Sequence, residues 1–431
     1  MSLELKKEKN EELKLLQKEE FEKRNNELCL IASENYPSEA VLEASGSIFQ
    51  CKYAEGFPKK RYYQGCEVVD KMEQKCIDKC LELFNASEDY YANVQPNSGS
   101  SANMIVYNAI LNPNDTILSM DTSAGGHISH GHPKSFLSKY FNVQTYGVNE
   151  EGWLDYDNIE KLALEIKPKL IIAGASNYSR EIDFERFKSI ADKCGAYLMA
   201  DIAHISLLVA KGLHQSPVGL ADFITSTTHK QLAGPRGAFI IYKKEFDKQI
   251  KLSTIPGLFG GPLENQIFAK LVCFEENLNE NAEIMAHKIV DYAQKFAFIL
   301  KLHGIPILTN GTDNHLMTID LSDFEQSGKQ VAEMLEKVGI IVNCNAVPND
   351  KRSFLETSGI RLGMPALVKR GLSSAEITLL AEYIGSFLEN LKLNNEKNVE
   401  YDLNKLKNCV EYLTELYNLK QIYPNLYKKL Y

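Results

Sequence analysis

The chain contains no stretch of about 18 uninterrupted apolar residues, so no segment reads as a membrane-spanning helix. Its first residues, MSLELKKEKNEELKLLQKEEFEKRNNEL, interleave Lys with Glu and lack the apolar heart of a secretory signal. The expectation is a soluble, cytoplasmic protein with no membrane partner. Positive charge is not in excess either: 48 Lys and Arg stand against 57 Asp and Glu, a formal net charge of -9. Such a balance offers no field that would neutralise a phosphate backbone, which argues against nucleic acid. Cysteine is scarce and odd in number, nine scattered over 431 residues, which fits reduced thiols and not a disulfide framework. There is no internal repeat and no low-complexity tract. What remains is 44% apolar and 24% charged, an ordinary globular composition with room for two domains and a substantial core.

Metal ligands are equally thin. Cys76 and Cys80 lie in EVVDKMEQKCIDKCLELF, where Val69, Met72 and Phe84 share their helical spacing, and they read as small hydrophobes on a core-facing stripe. His127, His130 and His132 in GGHISHGH have a spacing that could supply ligands, but no cysteine or acid adjoins them in sequence. No metal is expected.

Residues 1 to about 28 read as a charged amphipathic helix, an arm lying on the body or on a partner subunit. From about 85 to 245, short apolar runs alternate with helix-period segments, the pattern of βαβ units around a mostly parallel sheet. The strand candidates are DTILSM (115 to 120), NVQTYGV (142 to 148), KLIIAGA (169 to 175), AYLMAD (196 to 201), DFIT (222 to 225) and AFIIY (238 to 242). FERFKSIADKCG reads as a crossover helix closed by Gly195. The glycine-rich PGLFGGPLENQ (256 to 266) leads into a long helical segment ending near 304. A smaller α+β unit follows, with HLMTIDL and GIIVNCN as strands and SSAEITLLAEYIGSFLENL as a late helix. The last 35 residues are read as helix without a function. The division expected is an arm at 1–30, a large domain at 31–280 and a small domain at 281–431.

In an open α/β sheet, ligands bind outside the carboxyl ends of the strands, where loops and helix N-termini present free donors. Ser176, Asp201 and Lys230 fall at the carboxyl ends of successive predicted strands, so the three face one crevice if those strands are neighbours. In QPNSGSSANMIVYNAIL, Ser98-Gly99-Ser100 precede an apolar-periodic helix and gather hydroxyls and free N–H groups suited to a phosphate. Lys230 stands in TSTTHKQLAGPRG between probable buried strands, with Arg236 nearby, and desolvation beside a cation lowers an amine pKa. A neutral amine can form a Schiff base. An imine-forming lysine, a phosphate nest and a carboxylate able to hold a pyridinium proton together match the needs of pyridoxal phosphate.

With these residues in view, the chain closely resembles the serine hydroxymethyltransferases, enzymes of the pyridoxal-phosphate-dependent transferase fold type I. The resemblance runs in collinear order from about 30 to 370, through LIASENYPS, KYAEGFPKKRYYQGCE, NVQPNSGSSAN, GGHISHG, DIAH, TSTTHKQLAGPRG, GGPLENQ, GTDNHL and VPNDKRSFLETSGIRLG. It implies a seven-stranded, mostly parallel large-domain sheet with helices on both faces, and a smaller C-terminal α+β domain. It implies that Lys230 holds the cofactor covalently, that Asp201 pairs with the pyridine nitrogen, that His127 stacks on the ring, and that Ser176 and His204 lie near its phenolic oxygen. Ser98, Gly99, Ser100 and His229 would hold the phosphate, joined by Tyr53 and the Gly260-Gly261 turn of a second subunit. Arg361 with Ser33 would clamp the substrate carboxylate. Glu55 and Tyr63, also from the neighbouring subunit, would sit near the substrate hydroxymethyl group, Thr227 is a further catalytic candidate in the hydroxyl run, and Asn345 would read the pteridine of tetrahydrofolate. The activity implied is transfer of the hydroxymethyl group of L-serine to tetrahydrofolate by a homodimer or larger assembly.

Four positions depart from the commonest wording of that family: Thr122, Leu207, Ser226 and Met364. Of these, Thr122 weakens an apolar wall near the folate ring. The rival readings are a folate-independent aldolase acting on threonine or another β-hydroxy amino acid, against which Glu55, Tyr63 and Asn345 argue, and a catalytically silent interaction protein on the same scaffold.

Overall fold

The computed structural model describes the backbone of residues 3–431 and the side chains from residue 11 onward. The chain opens with a helix, α1 (Leu3–Asn25), and is organised around a seven-stranded sheet. Its strands are β1 (Tyr90–Asn93), β2 (Thr116–Met120), β3 (Asn142–Tyr146), β4 (Leu170–Ala173), β5 (Tyr197–Asp201), β6 (Phe223–Thr227) and β7 (Ala238–Lys243), in spatial order β1-β7-β6-β5-β4-β2-β3. β7 runs antiparallel to both its neighbours, and the remaining pairs are parallel.

The central strands are buried on both faces, which is why they read as continuous apolar runs. Alternate residues feed different cores: Ile171, Ala173, Leu198 and Ile224 join the larger cluster, whereas Leu170, Ile172, Met199 and Phe223 pack on the opposite face with Ala102, Ile105 and Val106. Those last three belong to α3 (Gly99–Ile110); α2 (Glu67–Leu83) precedes it in the chain. The crossover helix α4 (Phe184–Cys194) starts at an Asp183 cap and stops at Gly195, whose φ of 72° is the left-handed C-cap the sequence calls for.

A three-stranded antiparallel sheet of β8 (Leu316–Asp320), β9 (Asn343–Asn345) and β10 (Gly359–Gly363) has β10 at its centre. The late helix α7 (Ser374–Lys392) and then α8 (Glu396–Leu416) follow it. The final segment folds back on α1, where Tyr427 and Tyr431 pack against Phe21 with centroids 5.8 and 6.5 Å away.

Four sequence expectations need correction. β1 lies outside the strand candidates: YYAN is short and only partly apolar, as suits the edge of a sheet. The helix expected to run to about 304 is broken at Asn279, whose extended φ/ψ of -74°/156° separates α5 (Glu264–Leu278) from α6 (Glu280–Leu302). GIIVNCN splits, Ile340–Ile341 pairing with Leu28–Cys29 and only Asn343–Asn345 joining β10. Finally, the strand expected at 222 to 225 runs on through Ser226 and Thr227, so the turn before Lys230 begins only at Thr228.

Where α6 ends, the His303 ring spans two acids of α7, with Nδ1 2.8 Å from Glu389 and Nε2 2.9 Å from Glu382. Burial alone would lower its pKa, but the two carboxylates outweigh that and raise it. A raised histidine pKa stabilises the fold below its unfolded value and ceases to do so as pH climbs through the folded one. The Tm deficit of His303→Ala relative to wild type is therefore expected to be larger at about pH 5.5 than at about pH 9, a modest effect because both carboxylates are half-exposed and water screens the pairs.

Candidate active site

β4, β5 and β6 are adjacent and parallel, so their carboxyl ends open on one mouth. Asp201 is the last residue of β5, while Ser176 and Lys230 lie in the loops that leave β4 and β6. All three line a cavity of about 810 Å³. Ser33 enters from the segment after Cys29, Ser98, Gly99 and Ser100 from the start of α3, and Arg361 from the middle of β10. His127, His204, Thr227 and His229 complete the predicted residues found there.

Lys230 is 9% exposed. Burial drives its pKa down to about 8, Asp201 pulls the other way, and the cations Arg361 and Arg236 depress it further. Among the described residues its ammonium finds no hydrogen-bond acceptor. Lys270 shows that a depressed pKa alone does not mark a reactive amine. It too is lowered to about 8 by burial, but its Nζ donates to the carbonyls of Val94, Pro96 and Ala238 at 2.6, 2.9 and 3.0 Å.

Asp201 accepts from Asn103 Nδ2 at 2.9 Å, from His130 Nε2 at 2.8 Å and from the Ala203 N–H at 3.1 Å. Burial would raise its pKa, but the hydrogen bond and charge of His130, with Asn103, hold it far below the usual carboxylate range. A carboxylate offers roughly four acceptor directions, so about one remains for a ligand donor. His130 and Asn103 escape sequence reasoning as site residues, since each lies 71 or more positions from its partner Asp201. The signal available is local: His130 follows His127 by one helical turn, and Asn103 follows the Ser-Gly-Ser cap.

The three histidines of GGHISHGH go to separate partners. His130 serves Asp201, His127 Nδ1 accepts the Ser129 N–H at 3.1 Å, and His132 Nδ1 accepts the Lys134 N–H at 3.2 Å. Burial, then repulsion from His130, lowers His127 to about 4, so its ring is neutral at ordinary pH. His204 lies with Nδ1 3.4 Å from His315 Nε2, and burial beside Lys230 and Arg361 keeps both rings uncharged.

Arg361, 6% exposed, donates to the Ser176 carbonyl at 2.5 Å and to Asn343 Oδ1 at 2.7 and 3.2 Å. No carboxylate among the described residues pairs with it, and burial lowers its pKa to about 10. It is a desolvated cation whose neighbours are neutral oxygens.

At the head of α3 the Ser98 hydroxyl accepts the Ser101 N–H, and Ser101 Oγ reciprocates on the Ser98 N–H. That leaves the N–H groups of Gly99 and Ser100 facing the cavity without helical partners. Thr227 Oγ1 and His229 Nδ1 are buried and unpartnered beside them. Arg236 donates to His229 Nε2 at 3.0 Å, and burial lowers His229 to about 4, so its proton sits on Nδ1 as an unmatched donor. The donors form a cradle for a dianion at a positive helix end.

The remaining predicted residues do not line this cavity. Tyr53, Glu55, Tyr63, Gly260 and Gly261 form a second cluster: Tyr63 Oη donates to Glu55 Oε2 at 2.6 Å, and the rings of Tyr53 and Tyr63 meet edge to face at 5.5 Å. A Cβ on Gly260 would lie 2.8 Å from Glu55 Oε1, and one on Gly261 3.1 Å from the Tyr53 ring. Tyr53 and Tyr63 are 60% and 44% exposed. Asn345 ends β9 with its Oδ1 buried and unpartnered. Leu207, Ser226 and Met364 are buried core positions, and Thr122 lies in the loop after β2.

A family model described as serine hydroxymethyltransferase matches residues 5–384. The serine hydroxymethyltransferase of Coprothermobacter proteolyticus is 49% identical over 403 residues, which cover 93% of this chain and 95% of that protein.

Proposed function

The chain belongs to the serine hydroxymethyltransferase family, and from that premise we propose which of its residues perform the reaction. The enzyme transfers the hydroxymethyl group of L-serine reversibly to tetrahydrofolate, giving glycine and 5,10-methylenetetrahydrofolate, and it depends on pyridoxal phosphate. The mostly parallel sheet agrees with fold type I. The folate-independent aldolase finds no support in either comparison.

The residues fit the cofactor. The observation that carries this is a buried, unpaired Lys230 amine between an ionised Asp201 and a cradle of unpartnered donors. When bound, pyridoxal phosphate supplies a sink for the electron pair released as the Cα–Cβ bond of serine breaks. Lys230 holds it covalently. Asp201 would accept the pyridinium N–H and keep that nitrogen protonated. His127, neutral, stacks on the ring, with Ser176 and His204 at the phenolic oxygen. Ser98, Gly99, Ser100, Thr227 and His229 take the phosphate. Arg361, with Ser33, binds the amino-acid carboxylate, where a bidentate pair replaces its contacts to neutral oxygens. Asn345 reads the pteridine.

Glu55 and Tyr63 handle the hydroxymethyl proton in the cavity of a second copy, and Tyr53 with Gly260-Gly261 completes that copy's phosphate site. The exposure of Tyr53 and Tyr63 and the absence of all five residues from the lining of the chain's own cavity support this assignment, which requires at least a homodimer. The seven-stranded and three-stranded sheets, which share no strand, support a division into arm, large and small domains at 1–30, 31–280 and 281–431. Among the described residues no helix is long and apolar enough to cross a membrane. All nine cysteines are free, as suits a reducing cytoplasm.

An assay of serine cleavage with and without tetrahydrofolate tests the reading. A rate that rises with folate is expected, and indifference to it would favour an aldolase. The cradle has its own test. A Cβ on Gly99 would sit 2.9 Å from Thr227 Cγ2, so Gly99→Ala pushes the helix end off the phosphate. Cofactor affinity measured by equilibrium dialysis should drop about tenfold, the scale of a modest overpacking penalty, and Thr227→Ser in the same chain should recover part of it.

A further inference from the structure

Glu55 stands on a protrusion that has little to hold it. Only Gly56–Phe57 and Lys60–Arg61 pair there, a hairpin far too short to be stable by itself. Gly56 has a φ of 102°, and a Cβ on it would lie 2.2 Å from the Lys60 carbonyl, so the turn is tight. What fixes it is the Arg61 side chain, which points inward and is 3% exposed.

From there one terminal nitrogen, Nη1, donates to the Ala54 carbonyl at 2.8 Å and to the Gly56 carbonyl at 3.0 Å, the carbonyls of the residues before and after Glu55. The other end of the fork reaches α2: Nε donates to Asp70 Oδ1 at 2.9 Å, and Nη2 to Glu73. Gln95 Nε2 closes the ring, donating to the Gly56 carbonyl at 2.9 Å and to Glu73 Oε1 at 2.8 Å. Asp70 Oδ2 also accepts the Lys59 N–H at 2.7 Å. Glu264, at the start of α5 just beyond the Gly260-Gly261 turn, lies 3.8 Å from Arg61. Burial, with repulsion from Glu73, pushes the Glu264 pKa up, and burial raises that of Glu73 as well; by distance it is Asp70 and Glu73 that hold the guanidinium. A structural ion pair alone has no need to bracket the half-buried carboxylate of Glu55.

We propose that Arg61 is a positioning residue: its buried, ion-paired guanidinium clamps the carbonyls of the residues flanking Glu55 and so sets where Glu55 and Tyr63 present their oxygens to the serine bound by a second copy. The inference rests on the proposed role of Glu55. A lysine cannot replace the clamp, because one ammonium lacks the planar fork that serves two carbonyls and two carboxylates together.

The test uses the holoenzyme and compares Arg61→Lys, Glu55→Gln and the double variant. In Arg61→Lys, kcat for folate-dependent serine cleavage should decline about tenfold, while the serine KM, set by Ser33 and Arg361, stays within roughly threefold. Hydrogen exchange over residues 54–63 should accelerate without change in the central strands. The double variant should be no slower than the slower single one by more than about twofold, since both act on one oxygen position. Should Arg61→Lys not fold, Glu73→Gln, which keeps the acceptor and removes its charge, is expected to show the same pattern more weakly. Unaltered exchange in 54–63, or fully additive losses in kcat, would overturn the proposal. If exchange accelerates while Glu55→Gln is fully active, the clamp stands and it is the role of Glu55 that fails.

Discussion

Replacing Lys230 by alanine is expected to leave a folded protein that no longer retains pyridoxal phosphate through dialysis and cleaves serine at least about 10³-fold more slowly, roughly 4 kcal/mol of lost transition-state stabilisation. The loss is large because this amine is the proposed tether and no other lysine lines the cavity. The same substitution should not weaken the apo fold. A lysine whose folded pKa is about 8 against an ordinary value of 10.5 is destabilising when charged and buried. The unfolded chain then binds more protons between those values, so apo wild type should gain stability as pH rises through that window, and the gain should be absent from Lys230→Ala. Thermal melts at about pH 7 should give the variant a Tm no lower than apo wild type. A variant that keeps its cofactor and its rate would remove the residue from the chemistry altogether.

Arg361→Ala carries the second largest effect. The wild-type guanidinium is desolvated and faces only the Ser176 carbonyl and the Asn343 amide oxygen, so a substrate carboxylate gains a charge-assisted, two-point contact in surroundings that screen little. Its removal should raise the serine KM by about 10²- to 10³-fold, the equivalent of roughly 3–4 kcal/mol, while cofactor retention is unchanged. Arg361→Lys should fall between, because it keeps the charge and loses the fork. Steady-state kinetics over a wide serine range decides it; a KM near the wild-type value would show that the carboxylate binds elsewhere.

Much of this site is legible in the amino-acid sequence because α/β sheets concentrate chemistry at strand ends. Strand boundaries alone place Ser176, Asp201 and Lys230 in one crevice, and adjacency of β4, β5 and β6 brings them together. The positions that escape depend on contacts the sequence does not order. His130 and Asn103 reach Asp201 across long separations, and nothing in GGHISHGH distinguishes the histidine that holds a carboxylate from its two neighbours. Arg61 is in plain sight within KYAEGFPKKRYYQGCE, but its inward turn follows from Asp70, Glu73 and Gln95, three groups distant from it in the chain. The break at Asn279 is hidden for a simpler reason: the apolar period resumes at once on its far side, so α5 and α6 read as one helix. Glu55 and Tyr63 emerge only through resemblance, since no periodicity marks the short hairpin at 56–61 as belonging to any site.

The account depends on a single amine being reactive because it is buried, unpaired and beside Asp201. The most direct test is to load apo protein with pyridoxal phosphate, trap the attached lysine by chemical reduction, and map the modified peptide by mass spectrometry. The account predicts modification at Lys230 and none at Lys270, which has a similarly depressed pKa but gives its protons to three carbonyls. Label on Lys270, or spread over surface lysines with Lys230 untouched, would contradict it.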